Sequence, residues 1–190
     1  MRQPEAQYSD LERATLLGLA RESIEYGLRS GRSLPVQLTD YSPALQARQA
    51  SFVTLEKAGQ LRGCIGSLEA YRPLVEDVAE HAYAAAFRDP RFPPVNPKEL
   101  ALLDIHISVL TPAEPIQFSS ERDLLAQLEP GKDGVILHYP GHRATFLPSV
   151  WDSLPNRSDF LNHLKVKAGL PQDFWSDQLS FQRYTTISIP

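Results

Sequence analysis

The stretch that decides the fold is Ser51-Phe52-Val53-Thr54-Leu55 and, after a turn, Leu61-Arg62-Gly63-Cys64-Ile65-Gly66. The intervening Lys57-Ala58-Gly59-Gln60 has turn chemistry, so the pattern predicts a β-hairpin. Successive side chains point to opposite faces of a strand. Strict alternation therefore predicts that Arg62 and Cys64 share one face of the second strand.

The hexapeptide, residues 61–66, is also the strongest candidate for a chemical site, because Cys64 is the only cysteine among 190 residues. A positive neighbour such as Arg62 favours the reactive thiolate. Gly63 and Gly66 allow a ligand or another backbone to approach closely. We predict Cys64 as a catalytic nucleophile and Arg62, Gly63 and Gly66 as ligand-binding residues. The alternative is that Cys64 is a small buried hydrophobe.

Helical patterns flank the hairpin. Ser9-Asp10-Leu11-Glu12 is a capping box and predicts a helix that runs to about Arg29, before Gly31. Pro73 fits the first turn of a second helix that runs through Phe87. The alternation in residues 103–109 predicts a further strand.

The second half of the chain has the same kinds of element. We predict a short helix over residues 120–128, a hairpin from residues 135–139 and 143–146, a helix over residues 157–168 and a final strand over residues 179–189. This order favours one α+β domain over residues 1–190, with a largely antiparallel sheet and flanking helices.

The segment Arg88-Asp89-Pro90-Arg91-Phe92-Pro93-Pro94 must be a loop, because proline disfavours helix in the preceding residue. Arginine binds carboxylates and phosphates bidentately. If Arg62, Arg88 and Arg91 converge, they form a site for an anion, so we assign Arg88, Asp89 and Arg91 to ligand binding. The alternative is a structural Arg88–Asp89 pair that pins the loop.

His106 is a further candidate site residue, on the polar face of its predicted strand. It forms a dyad with Cys64 only if the two strands are neighbours, and the simpler interpretation is a histidine on a half-buried strand. One cysteine and five scattered histidines show no paired ligand spacing, so we predict no metal and no cofactor. Phe92 and the Phe174-Trp175 pair suit either a partner surface or a cover for the core.

Bulk composition narrows the class of protein. Nineteen basic against 23 acidic side chains give a net charge of −4, which disfavours binding to nucleic acid or an anionic membrane. A single cysteine cannot form an internal disulfide. The segment Met1–Glu5 lacks the apolar core of a signal peptide, and no apolar run approaches the ~20 residues of a membrane span. We therefore expect a cytoplasmic protein.

Five segments together resemble the AMMECR domain family, known in prokaryotes as AmmeMemoRadiSam system protein A: Leu61–Gly66, Phe87–Pro94, Ile105–Leu110, Thr145–Pro148 and Lys167–Pro171. The resemblance covers nearly the whole chain. It implies an α+β fold with a larger lobe, a smaller lobe and a cleft between them, near which the hexapeptide lies. Many relatives carry glutamate at the position of His106, so a mechanism that requires this histidine would not be general to the family.

The resemblance also implies partners, a Memo-like protein and a radical-SAM protein, but no established biochemical activity. Radical-SAM chemistry would belong to the partner, because a three-cysteine cluster motif cannot exist in a chain with one cysteine.

Three functions follow as hypotheses. In the first, the cleft around the hexapeptide binds an anionic small molecule or a nucleotide-like group, with cysteine chemistry as a further step. In the second, the protein is a non-catalytic adaptor in which Cys64 is only packed. In the third and weakest, the arginines bind nucleic acid, against a net charge of −4.

Overall fold

The computed structural model describes residues 7–190. Met1–Glu5, on which the prediction about a signal peptide rests, lies outside the described residues. The chain divides into two compact units, of which unit 1 runs to Leu110 and includes Ile187–Pro190, and unit 2 is Thr111–Thr186. Within the described part of the chain, none of the helices combines the length and the apolar character that crossing a bilayer requires.

The helices are α1 (Asp10–Ser30), α2 (Pro43–Gln46), α3 (Leu74–Phe87), α4 (Glu121–Gln127) and α5 (Arg157–Lys167). The strands are β1 (Ala50–Lys57), β2 (Gln60–Gly66), β3 (Leu103–Leu110), β4 (Glu114–Pro115), β5 (Gly134–Tyr139), β6 (His142–Phe146), β7 (Ser180–Tyr184) and β8 (Thr186–Ile189). The predicted α+β class is confirmed, and the strands form two four-stranded sheets.

Helix α1 begins and ends where the sequence predicts. The Ser9 hydroxyl accepts the Glu12 N–H at 3.2 Å, and the Glu12 carboxylate accepts the Ser9 N–H at 2.9 Å. Gly31 ends the helix with φ of 71°, in the left-handed region that glycine adopts without strain. Two capping devices therefore fix the ends of α1.

The sheet of unit 1 has the strand order β2-β1-β3-β8, and β1 pairs antiparallel with β2 and β3. One face of this sheet carries buried apolar side chains, among them Val53, Leu55 and Ile107. Helix α3 packs against β1 and β2, and α1 packs against α3 and β3. The opposite face of the sheet carries mostly polar side chains, with Phe52 among them.

The β1–β2 hairpin contains a β-bulge. Leu55 pairs with Gly63, but the next residue, Glu56, pairs with Leu61. Arg62 is therefore the extra, unpaired residue, and side-chain alternation does not continue through it. The bulge results from hairpin pairing, which the alternation of β2 alone does not reveal.

Unit 2 has the strand order β4-β7-β5-β6 and its own apolar core. The Trp151 ring stacks on Phe160 with centroids 3.7 Å apart. Trp175 lies edge-on to Phe118 and packs with Phe174 against the buried core. Of the two alternatives for the Phe174-Trp175 pair, the structure shows a cover for the core.

Candidate functional site

A row of polar side chains crosses the sheet of unit 1 on the face opposite the core. Thr54 in β1 pairs with Cys64 in β2 on one side and with His106 in β3 on the other. Directly paired residues of an antiparallel sheet lie on the same face. We call these three residues, together with Glu56, the polar face.

The Cys64 thiol contacts a hydroxyl group. Its Sγ lies 3.2 Å from Oγ1 of Thr54, and the residue is partly exposed. Sequence reasoning missed Thr54. A predicted hairpin with its turn at Lys57–Gln60 contained the signal, since it already places Thr54 opposite the hexapeptide.

His106 and Cys64 do not form a direct dyad, because β1 lies between their strands. The Nε2 atom of His106 is 3.6 Å from Oε2 of Glu56, and about two-fifths of each side chain is exposed. The interpretation of His106 as a histidine on a half-buried strand therefore describes its position. It shares the polar face with the thiol without contacting it.

Arg62 does not act on the thiol as predicted, because the bulge directs its guanidinium elsewhere. Its Nε and Nη2 donate to the two carboxylate oxygens of Glu99, each at 3.1 Å, and Nη2 also donates to the Pro93 carbonyl at 2.8 Å. The Arg62 hydrogen bonds to Glu99, with those from the Asn96 backbone N–H and the Lys57 ammonium, lower the pKa of Glu99 to about 2. Arg62 is thus a buried member of a structural ion-pair cluster.

Asp89 and Arg91 bind the outer edge of the hexapeptide. Because β2 is an edge strand, its outward main-chain groups have no neighbouring strand. The Asp89 carboxylate accepts the Cys64 N–H at 2.9 Å, and Arg91 Nη2 lies 3.4 Å from the Cys64 carbonyl oxygen. The two side chains supply the acceptor and the donor that a neighbouring strand would supply.

The same two residues form a bidentate ion pair. Arg91 Nε is 3.0 Å from one Asp89 oxygen, and Nη2 is 2.7 Å from the other. This pairing holds the pKa of the Asp89 carboxyl far below its usual range and raises the pKa of Arg91. The alternative of a structural Arg88–Asp89 pair is therefore wrong, because Asp89 pairs with Arg91.

Arg88 lies apart from this arrangement. Its Nη1 is 3.7 Å from Glu80, and its guanidinium lies over the Tyr83 ring at 5.0 Å. A cationic side chain just past the end of α3 is also favourably placed for the helix dipole. The predicted convergence of all three arginines does not occur. Arg62 and Arg91 lie over the same Phe92 ring, at 5.9 and 5.5 Å from its centroid, whereas Arg88 lies over Tyr83.

The two glycines of the hexapeptide accommodate the protein itself. A Cβ at Gly63 would lie 2.2 Å from the Ala85 carbonyl oxygen of α3, and one at Gly66 would lie 2.3 Å from the Phe52 ring. The close approach that the glycines permit is made by α3 and by Phe52. Their assignment to ligand binding gains no geometric support.

Across residues 7–190 there is no group of three or more histidine, cysteine, aspartate or glutamate side chains placed to hold a metal ion. What the site offers chemically is a partly exposed thiol beside a hydroxyl, with a guanidinium at the strand edge and an imidazole–carboxylate pair further along the sheet.

Fold and site define the class: an α+β protein with two antiparallel sheets and a thiol on the polar face of the first. Residues 17–189 match the AMMECR1 family, and the chain belongs to it. It is 42% identical to a protein from Methanothermobacter thermautotrophicus over 87% of this chain and 86% of that one. For a protein from Thermotoga maritima the identity is 36%, over 85% and 89% of the two chains.

The fold is similar to a solved structure. A crystal structure of an uncharacterized protein from Pyrococcus horikoshii matches with a TM-score of 0.88 and 33% sequence identity, covering 96% of this chain and 92% of that one.

Proposed function

We propose that the surface formed by the polar face and Arg91 binds a small anionic molecule beside the Cys64 thiol. The observation that carries the proposal is the position of Arg91. Its side chain is 55% exposed, it contacts the Cys64 main chain, and two of its nitrogens are fixed by Asp89. A guanidinium held in this way is suited to a carboxylate or a phosphate.

Cysteine chemistry is the second part of the proposal. A nucleophilic thiol requires loss of its proton and stabilisation of the resulting charge. The Thr54 hydroxyl at 3.2 Å can donate to a thiolate, and the Arg91 guanidinium lies at the Cys64 main chain. The proton would pass to solvent, because Cys64 is partly exposed.

The family resemblance adds the proposal that the protein acts with a Memo-like protein and a radical-SAM protein. Co-purification of the tagged protein with each of them tests this association directly.

Anion binding is tested by NMR titration of the ¹⁵N-labelled protein with inorganic phosphate and with AMP, at constant ionic strength kept with chloride. We expect saturable shifts in the amides of Cys64 and Arg91 and none in unit 2. The Arg91→Gln variant should lose the response, and the exposed Arg88→Gln variant should keep it. Uniform, non-saturating shifts, or none, would refute anion binding at this surface.

A second candidate is the non-catalytic adaptor, favoured by the close packing of the hexapeptide. The Cys64 N–H is bonded to Asp89, and Gly63 has no room for a side chain against α3. In an adaptor, Cys64→Ser leaves binding of the Memo-like partner intact, whereas Phe92→Ala at the adjoining loop weakens it. In the proposed thiol site, Cys64→Ser abolishes function with little loss of stability.

The third hypothesis, nucleic-acid binding, has less support. Arg62 and Arg88 are engaged by Glu99 and Glu80, which reduces the positive charge available for phosphates. Nucleic-acid binding would fall steeply with added salt.

A further inference from the structure

We infer that the N-terminal end of α3 is a separate ligand site, and that it binds a phosphate that still carries a proton in preference to a fully deprotonated oxyanion such as sulfate. The site goes beyond the proposed function, because it uses none of the residues around Cys64. Its parts are a helix end without a side-chain cap, two arginines, and two buried polar groups that lack a hydrogen-bond partner.

The first turn of α3 leaves main-chain donors unused. Pro73 is the N-cap residue, and no side chain accepts a hydrogen bond from the first turn. The Leu74 N–H donates to the Ala47 carbonyl at 2.9 Å. The N–H groups of Val75 and Glu76 have no acceptor in the described part of the chain. Free N–H groups and the helix dipole make such an end favourable for an anion.

Two polar groups of opposite kind are buried at this end without a hydrogen bond. Asp77 is fully buried, and its Oδ1 atom has no hydrogen-bond partner among the described residues. Val75 is also fully buried, and its N–H is the matching donor without an acceptor. A buried polar group without a partner is costly. One such acceptor and one such donor together suit a ligand that offers both, as a phosphate with a P–OH group does and sulfate does not.

The unpartnered Asp77 oxygen faces the start of the helix. The other oxygen, Oδ2, accepts the Ser51 hydroxyl at 2.6 Å and lies 3.1 Å from Nδ1 of His81, so these two residues hold the carboxylate in place. Oδ1 lies 3.3 Å from Nε of Arg72, which directly precedes the N-cap residue. The Arg72 side chain is 37% exposed. A small shift of this side chain therefore opens Oδ1 to a ligand that arrives from solvent.

Arg48 supplies a second guanidinium at the same end. It is exposed and pairs with Pro73 in an isolated antiparallel bridge. Within residues 7–190, no hydrogen bond or ion pair engages its side chain. Guanidinium groups are well suited to phosphate oxygens. Because Glu76 and Asp77 balance the charges of Arg48 and Arg72, the empty site is neutral, and hydrogen bonds rather than net charge set its selectivity.

The experiment is an NMR titration of the ¹⁵N-labelled full chain with inorganic phosphate, methyl phosphate and sulfate, at constant ionic strength kept with chloride. A pH of about 6 keeps a proton on roughly half of a phosphate monoester, whereas sulfate carries none. The amides of Val75 and Glu76 are the reporters. We expect saturable shifts with inorganic phosphate and about tenfold weaker binding of sulfate, which lacks the donor for Asp77 and places a second acceptor against it.

Methyl phosphate distinguishes two sources of the same chemistry. Binding equal to that of inorganic phosphate supports a site for phosphate esters, whereas binding of inorganic phosphate alone supports a site for the free ion. Arg48→Gln should weaken phosphate binding about two- to fivefold, because the side chain is exposed. Arg122→Gln, another exposed arginine but in unit 2, is the matched control and should leave the affinity unchanged.

Three results would overturn the inference: no saturable shift at the two reporter amides, equal affinity for sulfate and phosphate, or a loss in Arg122→Gln as large as that in Arg48→Gln. The comparison of phosphate with sulfate is made on the unaltered protein, so the test stands even if a variant fails to fold. The amides of Cys64 and Arg91 report the proposed anion surface in the same titration, so each site is decided separately.

Discussion

The same substitution, glycine to alanine, should have opposite effects at two positions of unit 1. At Gly63 the new Cβ would lie 2.2 Å from the Ala85 carbonyl oxygen, well inside the ~3.3 Å at which carbon and oxygen ordinarily make contact. The obstacle is helix backbone, so α3 or β2 must move by about 1 Å to relieve the overlap. At Gly18 nothing lies within 4 Å of the new atom.

The magnitudes follow from these surroundings. Overpacking a close-packed core costs typically 1–3 kcal/mol, and we place Gly63→Ala at about 3 kcal/mol because main chain rather than a side chain must yield. Gly18 is an exposed position in the interior of α1, where alanine is favoured over glycine by about 1 kcal/mol. The two variants should therefore differ by about 4 kcal/mol in the free energy of unfolding.

Urea unfolding followed by circular dichroism at 222 nm is the appropriate assay. The two longest helices, α1 with 21 residues and α3 with 14, both belong to unit 1. Both tryptophans, Trp151 and Trp175, lie in unit 2, so their fluorescence follows the other unit. A free energy of unfolding for Gly63→Ala within ~0.5 kcal/mol of that of the unaltered protein would refute the close approach of β2 and α3.

Three further predictions concern buried charges. Because the folded-state pKa of Glu99 is about 2 against 4.5, its carboxylate contributes about 3 kcal/mol to the free energy of unfolding, a contribution that is present above pH ~4.5 and is lost as the pH falls towards 2. The urea midpoint of Glu99→Gln should therefore depend less on pH over that range than that of the unaltered protein, and an equal slope would contradict this. Ser51→Ala removes the 2.6 Å hydrogen bond to the fully buried Asp77. It should lower the free energy of unfolding, followed by circular dichroism, by about 1–3 kcal/mol. An unchanged free energy would show that Asp77 does not depend on this donor. Lys165 is fully buried and lies 2.6 Å from the part-exposed Glu121. Its replacement by methionine should be tolerated, with a urea midpoint, followed by tryptophan fluorescence, equal to or above that of the unaltered protein. A decrease of several kcal/mol in the free energy of unfolding would show that this ion pair is net stabilising.

The elements that local sequence determines were predictable. The capping box at Ser9, the glycine after α1 and the turn between β1 and β2 all depend on residues within a few positions of one another. Each satisfies its own main-chain groups locally, so a single sequence reveals it.

The geometry of the site depends on pairing between distant residues, which local patterns do not contain. The bulge at Arg62 arises from the register of β2 against β1. The replacement of an Arg88–Asp89 pair by Asp89–Arg91 depends on where the loop meets the edge of β2. In both places residue types correctly indicated charge, while tertiary contacts decided which charges meet.

The position of β8 in chain order has a consequence for biosynthesis. This strand lies in the sheet of unit 1, yet it follows all the residues of unit 2 up to Thr186. A ribosome releases the chain from its N-terminus, at about 5–20 residues per second. The edge of β3 that pairs with β8 therefore remains unpaired while unit 2 is being synthesised. During that interval the main-chain groups of the β3 edge are available for pairing with other chains, and β8 pairs with them only after translation has passed Ile189.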